Sequence, residues 1–230
     1  MTWISVPDAL AQMRAGRPLV VTDAADRENE GDLVVAAEHA TAAIVNLMVR
    51  HACGLVCVAL TRDRLAALDL PQMVERNTAA LGTAFTVPVD ARDVTTTGIS
   101  AFDRAATIRA LIDPATRPAD LLRPGHVFPL QAADGGVLER PGHTEAVVDL
   151  ARLAGLTPAA VVCEILAEDG TMARGDALAA FAARHGLGML AIADLIAWRS
   201  SEAAADGQAA PGARVASPIR AAALAGLSEW

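Results

Sequence analysis

The stretch PLVVTDAADRENEGDLVVAAE, residues 18–38, decides how this chain reads: two valine-rich runs stand on either side of a strongly acidic loop. PLVVTDA (18–24) and DLVVAAE (32–38) are strand candidates, because short apolar, β-branched runs suit a pleated, buried surface. Between them DRENEGD (26–32) places Asp26, Glu28, Glu30 and Asp32 at alternate positions, with Arg27 among them and Gly31 as a permissive backbone point. In an extended segment all four carboxylates share a face; in a helical turn Glu28 and Asp32 do. Converging carboxylates require a cation or a proton. Hard oxygen ligands favour Mg²⁺ or Mn²⁺, while a solvated acidic turn would carry the same residues without a metal.

Outward from this stretch, TAAIVNLMVRHA (41–52) carries Ile44, Leu47, Met48 and His51 at helical spacing, with Thr41 as N-cap. GLVCVAL (54–60) reads as a buried strand and TRDRLAALDL (61–70) as a short helix. AFTVPVDA (84–91) is a strand whose proline points to an edge or a bulge. After the hydroxyl-rich VTTTGIS, the helix SAFDRAATIRALI (100–112) opens with Ser100 and Asp103 at capping-box spacing. RPGHVFPLQA (123–132) enters a strand after a turn, and helix TEAVVDLARLAG (144–155) ends at Gly155, where a C-terminal glycine belongs. AVVCEIL (160–166) is a strand, GDALAAFAARHG (175–186) a helix, GMLAIAD (188–194) a strand, and IADLIAWR the start of a last helix.

Strands and helices thus alternate without strict βαβ regularity. The fold class expected is α+β, a mixed sheet with helices packed on it. Residues 1–200 form the folded domain; 201–230 are small, polar and proline-containing, which predicts a flexible tail with a short helix in IRAAALAGLSEW.

Composition narrows the chemistry. The 230 residues carry a formal net charge of −8, which argues against a nucleic-acid partner. There is no lysine, and all 19 basic side chains are arginine. A lysine imine and a Walker-type phosphate loop are therefore excluded. Cys53, Cys57 and Cys163 form no CxxC pair and read as buried thiols of a reducing compartment. The N-terminus shows no signal peptide, and no apolar run approaches the roughly 20 residues of a membrane span. A cytoplasmic protein is expected.

A second constellation lies in LERPGHTEAVVDL. Arg140, Pro141, Gly142, His143 and Thr144 form a turn before a helix, where backbone N–H groups make an anion site. Arg140 can clamp two oxygens; the alternative is a plain N-cap with an exposed arginine. His39 and His185 sit at helix ends as caps, and His51 is expected to be packed. His126, aimed by a Pro-Gly turn, suits general acid–base work. Glu164 interrupts an apolar run, so it is either functional or bridged to an arginine.

Six motifs in order carry a resemblance: DRENEGD, TAFTVPVDARDVTTTGISAFDR, DLLRPGHVFPL, GGVLERPGHTEAVVDLARLAG, CEILAEDGTMAR and HGLGMLAIADLIAWR. Across residues 1–200 the sequence resembles the 3,4-dihydroxy-2-butanone-4-phosphate synthases of riboflavin biosynthesis. That resemblance implies a three-layer α/β/α sandwich and a homodimer with sites near the subunit interface. It implies the conversion of the sugar phosphate D-ribulose 5-phosphate to L-3,4-dihydroxy-2-butanone 4-phosphate and formate with Mg²⁺ or Mn²⁺, two ions per site. Glu28 and His143 would be metal ligands, with Glu30 near the metals. Arg27, Glu28, Asp32, Arg140, Pro141, Gly142, His143, Thr144 and Glu164 would contact substrate. His126 and Glu164 would be the catalytic pair. Many relatives are fused to a GTP cyclohydrolase II domain with zinc-binding cysteines; the tail here has no cysteine, so the monofunctional form is expected.

Overall fold

Seven strands form one mixed sheet in the order β4-β5-β3-β6-β2-β1-β7. They are β1 (Leu19–Thr22), β2 (Gly31–Ala36), β3 (Cys57–Leu60), β4 (Val89–Ala91), β5 (Leu121–Gln131), β6 (Ala160–Glu164) and β7 (Met189–Ala191). The helices are α1 (Val6–Arg14), α2 (Ala42–Leu47), α3 (Arg62–Ala67), α4 (Ala101–Ile112), α5 (His143–Leu153), α6 (Gly175–His185) and α7 (Ile192–Ala205). The computed structural model describes residues 3–205. The segment from 206 onward, with the short helix expected in IRAAALAGLSEW, lies outside the described residues.

The sheet is buried on both faces, and its residues sort by parity. Val20, Leu33, Val35, Val58, Val161 and Cys163 pack with α2, α3, α4 and α6. Leu19, Val21, Val34, Ala36, Cys57, Ala59, Ala160 and Val162 pack with α1, α5 and α7. Strand periodicity of two thus divides the apolar side chains between two cores. Three layers follow, as the resemblance implied, on the mixed sheet of the α+β reading.

The β1–β2 hairpin is antiparallel, and β2 continues antiparallel onto β6, with Asp32 opposite Glu164. β3 is antiparallel to β6, and Cys57 stands opposite Val162. Asp32, Cys57 and Glu164 therefore gather at one end of the sheet. By parity with Val34 and Val162, both carboxylates face the α5 layer.

Several local expectations are corrected. The helix expected over 41–52 is α-helical only to Leu47; Met48–Ala52 widens into a π turn, closed by the Cys53 N–H on Met48 O at 2.9 Å. Regular pairing in 84–91 is confined to Val89–Ala91, because Pro88 cannot donate to a ladder. RPGH does not precede a strand; it lies inside β5, which already begins at Leu121. Ser100 caps α4 by accepting the Asp103 N–H at 3.0 Å, but the Asp103 carboxylate serves Thr96 and Gly98 instead of returning to the cap. Cys53 is exposed, unlike Cys57 and Cys163. His51 is exposed as well, its ring 4.9 Å from that of His185. His51 lies in the π turn and Cys53 closes it, and both face solvent while Met48 and Ala52 of the turn are buried. α1 was absent from the sequence reading, although Ser5 accepts the Asp8 N–H and proline starts the helix.

Candidate active site

Asp23, at the end of β1, organises the acidic loop. Its Oδ2 accepts the Glu28 N–H and an Arg27 guanidinium N–H, each at 2.9 Å, and its Oδ1 accepts the Glu30 N–H at 3.0 Å. One side-chain carboxylate thus folds the loop into a turn rather than an extended strand. Arg174 fastens the outside, donating to Asn29 O at 2.8 Å, and Asn29 takes the left-handed backbone (φ 53°) that asparagine tolerates.

That turn decides which acids converge. Glu28, Glu30 and Asp32 line one cleft with Arg27, Cys57, Thr83, Arg140, His143, Thr144 and Glu164; Asp26 points outward and is exposed. A roomier groove of about 500 Å³, lined by Thr61, Arg62, Asp134 and Arg152, has only an exposed Arg62–Asp134 ion pair. The acids, the buried histidine and the arginines converge in the smaller cleft.

His143 opens α5 and is 6% exposed. Its Nδ1 stands 3.3 Å from Glu28 Oε2, which also accepts from Arg27 at 2.7 Å. The His143 hydrogen bond, more than the charge of Arg27, depresses Glu28 to about 2 against the cost of burial. Burial pulls the His143 imidazole down, but Asp32, Glu28 and Asp23 together outweigh it and lift it to about 9. Asp32 goes the other way: burial first, then the charges of Glu164, Glu30 and Glu28, push it up to about 7. Burial and Glu28 likewise raise Glu30.

Two buried polar atoms here lack partners, His143 Nε2 and Asp32 Oδ1. An orphaned nitrogen and an orphaned carboxylate oxygen in a cleft lined by acids suit a divalent cation. Asp23, Glu28 and His143 offer ligand atoms within 4.8 Å of one another. Asp23 already accepts three N–H groups, so Glu28 and His143 are the freer pair.

Glu164 forms no arginine bridge among the described residues. It is half-buried, and its Oε2 accepts the Leu55 N–H at 2.8 Å. The π turn makes this contact: Cys53 adopts φ 66°, and a Cβ at Gly54 would strike the Glu164 backbone. Arg140 is only partly exposed and donates to Glu145 Oε2 at 2.6 Å and to Leu81 O and Thr83 Oγ1. It ties the 77–83 segment to α5 while lining the cleft. Gly142 caps α5 without a side chain, leaving the first-turn N–H groups open to an anion.

His126 does not line the cleft. Its ring pairs with Asp90, and its side chain is 42% exposed. Of the expected site residues, the structure brings Arg27, Glu28, Asp32, Arg140, His143, Thr144 and Glu164 together in one cleft and leaves His126 apart, whereas the sequence reading paired His126 with Glu164. It missed Asp23, Arg174 and Leu55, which act through backbone contacts and carry no spacing signal; only Asp23, seven residues before Glu30, resembles a turn-closing aspartate.

Comparison with known proteins settles the family. Residues 7–198 match the family model for 3,4-dihydroxy-2-butanone 4-phosphate synthase. The chain belongs to this family. Among 3,4-dihydroxy-2-butanone 4-phosphate synthases, that of Escherichia coli O139:H28 is 52% identical over 196 residues, 85% of this chain and 90% of the relative. The riboflavin biosynthesis protein RibBA of Salinispora arenicola is 57% identical over 198 residues, 86% of this chain but 47% of its own length. The chain thus spans about half the length of such RibBA relatives. A solved 3,4-dihydroxy-2-butanone 4-phosphate synthase in complex with two magnesium ions superposes with a TM-score of 0.82 at 48% identity, covering 86% of this chain and 98% of that one. No helix among the described residues is long and apolar enough to cross a membrane.

Proposed function

We propose that the chain is a lyase converting D-ribulose 5-phosphate to L-3,4-dihydroxy-2-butanone 4-phosphate and formate in the cytoplasm. The observation that carries this reading is the cleft in which Glu28, Asp32, His143 and Glu164 converge with two orphaned buried polar atoms, on the frame of a family whose members are named 3,4-dihydroxy-2-butanone 4-phosphate synthase.

Glu28 and His143 would hold the metal. A bound Mg²⁺ or Mn²⁺, two ions in the full site, supplies positive charge for oxygens that turn negative once the proton beside the ketone leaves. The remaining steps belong to the chain. Arg27, Arg140 and the Pro141–Gly142–Thr144 turn receive the phosphate at the open N-terminus of α5. Glu164, steadied by the Leu55 N–H, presents a carboxylate at the end of β6 for proton transfer. Asp32 lies directly opposite it and can hold a proton near neutral pH.

His126 completes the pair only if a second copy brings it. It stands outside its own cleft, next to a segment whose apolar side chains Val94, Ile99 and Phe102 are exposed, Phe102 at 77%. A homodimer that covers this patch would bury apolar surface and deliver His126 to the partner's cleft.

The test is formate release from ribulose 5-phosphate with added Mg²⁺, with and without EDTA, alongside an assay for inorganic phosphate. EDTA-sensitive formate without phosphate is expected. Phosphate alone would mean a metal-dependent phosphatase, and neither product a non-catalytic sugar-phosphate binder.

A further inference from the structure

His126 lies mid-way along β5, where β4 pairs with it across a register shift between Val89 and Asp90. The irregularity turns Asp90, only 6% exposed, toward the histidine. Asp90 Oδ1 accepts the His126 backbone N–H at 3.0 Å, and Oδ2 stands 2.8 Å from His126 Nδ1. One carboxylate therefore grips both the main chain and the ring of the same residue.

Gly98 seals this arrangement. It is buried with φ 87°, and a Cβ there would collide with Asp90 Oδ2 and His126 Nδ1. No side chain from position 98 can compete for Nδ1. The loop that presents Gly98 is itself fastened: Asp103 accepts the N–H groups of Thr96 and Gly98, each at 3.1 Å, and the Thr96 hydroxyl at 2.8 Å. Thr95 Oγ1 donates to Ala91 O at 2.6 Å. The hydroxyl-rich segment, idle in the site itself, is scaffolding for the Asp90–His126 contact.

We infer that Asp90 is the positioning residue for His126, fixing the ring in the tautomer that carries its proton on Nδ1 and leaves Nε2 bare. A carboxylate that already accepts on Oδ1 is matched by a ring N–H on Oδ2. The half-exposed ring then has one free nitrogen, Nε2, with lone pair available, and a fixed direction. This rests on the reading of His126 as a catalytic group, and it adds what makes that histidine a base rather than a donor.

The experiment uses the full chain with ¹⁵N-labelled histidine and long-range ¹H–¹⁵N correlation, His126 being assigned by the signal missing from His126→Gln. Wild type is expected to show His126 with Nδ1 protonated and Nε2 bare. Asp90→Asn, whose amide can donate to Nδ1, is expected to shift the ring toward the Nε2–H form. Its kcat for ribulose 5-phosphate should fall by roughly 10-fold or more while KM moves by less than about threefold, the pattern of a lost orienting partner. An Nε2–H tautomer in wild type overturns the inference even if the variant fails to fold, and so does wild-type kcat in a folded Asp90→Asn. Undiminished turnover in His126→Gln would instead retire the parent reading, and the inference with it.

Discussion

Asp23 and Glu28 are coupled through the backbone: the Glu28 N–H reaches Asp23 Oδ2 at 2.9 Å, beneath the very side chain that faces His143. The position of the proposed metal ligand Glu28 is thus set by a residue whose own carboxylate is 1% exposed. Asp23→Ala should release the loop, cost about 1–3 kcal/mol of stability and weaken Mn²⁺ binding by roughly 10–100-fold. Urea unfolding and calorimetric titration measure the two effects separately; unchanged Mn²⁺ affinity would count against this role.

Glu28→Gln keeps the shape of the side chain and removes its charge. Metal-dependent formate release should disappear while the circular dichroism spectrum stays that of the wild type. A variant with full activity and a normal metal response would take Glu28 out of the mechanism.

Glu164→Gln should still bind ribulose 5-phosphate but lose roughly 10²–10⁴-fold in kcat, the range of a lost acid–base group. Because His126 stands outside its own cleft, Glu164→Gln and His126→Gln should complement one another. A mixed dimer carries one intact site, so about half the wild-type rate is expected in differentially tagged, co-purified heterodimers. Silence in the mixed dimer would mean that both groups serve the same chain's cleft.

The thiols should separate by reactivity. Burial, with the charges of Glu164 and Asp32, raises Cys57 well above its ordinary value, and burial pushes Cys163 to about 12. Only thiolates alkylate. At pH 8 the native protein should take one iodoacetamide label, on the exposed Cys53, and three after unfolding. Native labelling of Cys57 would show the cleft opening far wider than its geometry implies.

Asp149 in α5 is fully buried and accepts the Val137 N–H at 3.0 Å, Arg152 at 3.2 Å and Arg199 of α7 at 2.6 Å. Asp149→Ala strands Arg199, whose side chain is 22% exposed. A loss of roughly 3–5 kcal/mol is expected in urea unfolding, the cost of breaking a buried pair.

Much of this site is readable without coordinates, for physical reasons that differ by residue. Glu28, Asp32 and His143 announce themselves because charge in an apolar context, or at a helix start, has few structural uses. The hairpin around them follows from short, continuous valine-rich runs, the pattern of strands buried on both faces. Asp23 and Arg174 act on main-chain atoms and Leu55 acts through its own backbone N–H, and such contacts leave no pattern in composition or spacing. Asp90 hides for another reason: a bulge of β4 against β5 aims it, and bulges are set by pairing across the sheet. The separation of His126 from Glu164 is likewise a matter of topology, invisible while both are only letters in strand-like runs.

The position of β6 has a consequence for how the chain is made. It is the one strand that joins β4-β5-β3 to β2-β1-β7, and it spans residues 160–164. During synthesis the β1–β2 hairpin and the β3–β5 pair emerge long before it, as two half-sheets with open edges. Ordering of the sheet must wait for β6 and pay its long-range closure late. The strand that zips the halves together also carries Glu164, so a nascent chain sets that carboxylate opposite Asp32 in the same event that makes it a single body.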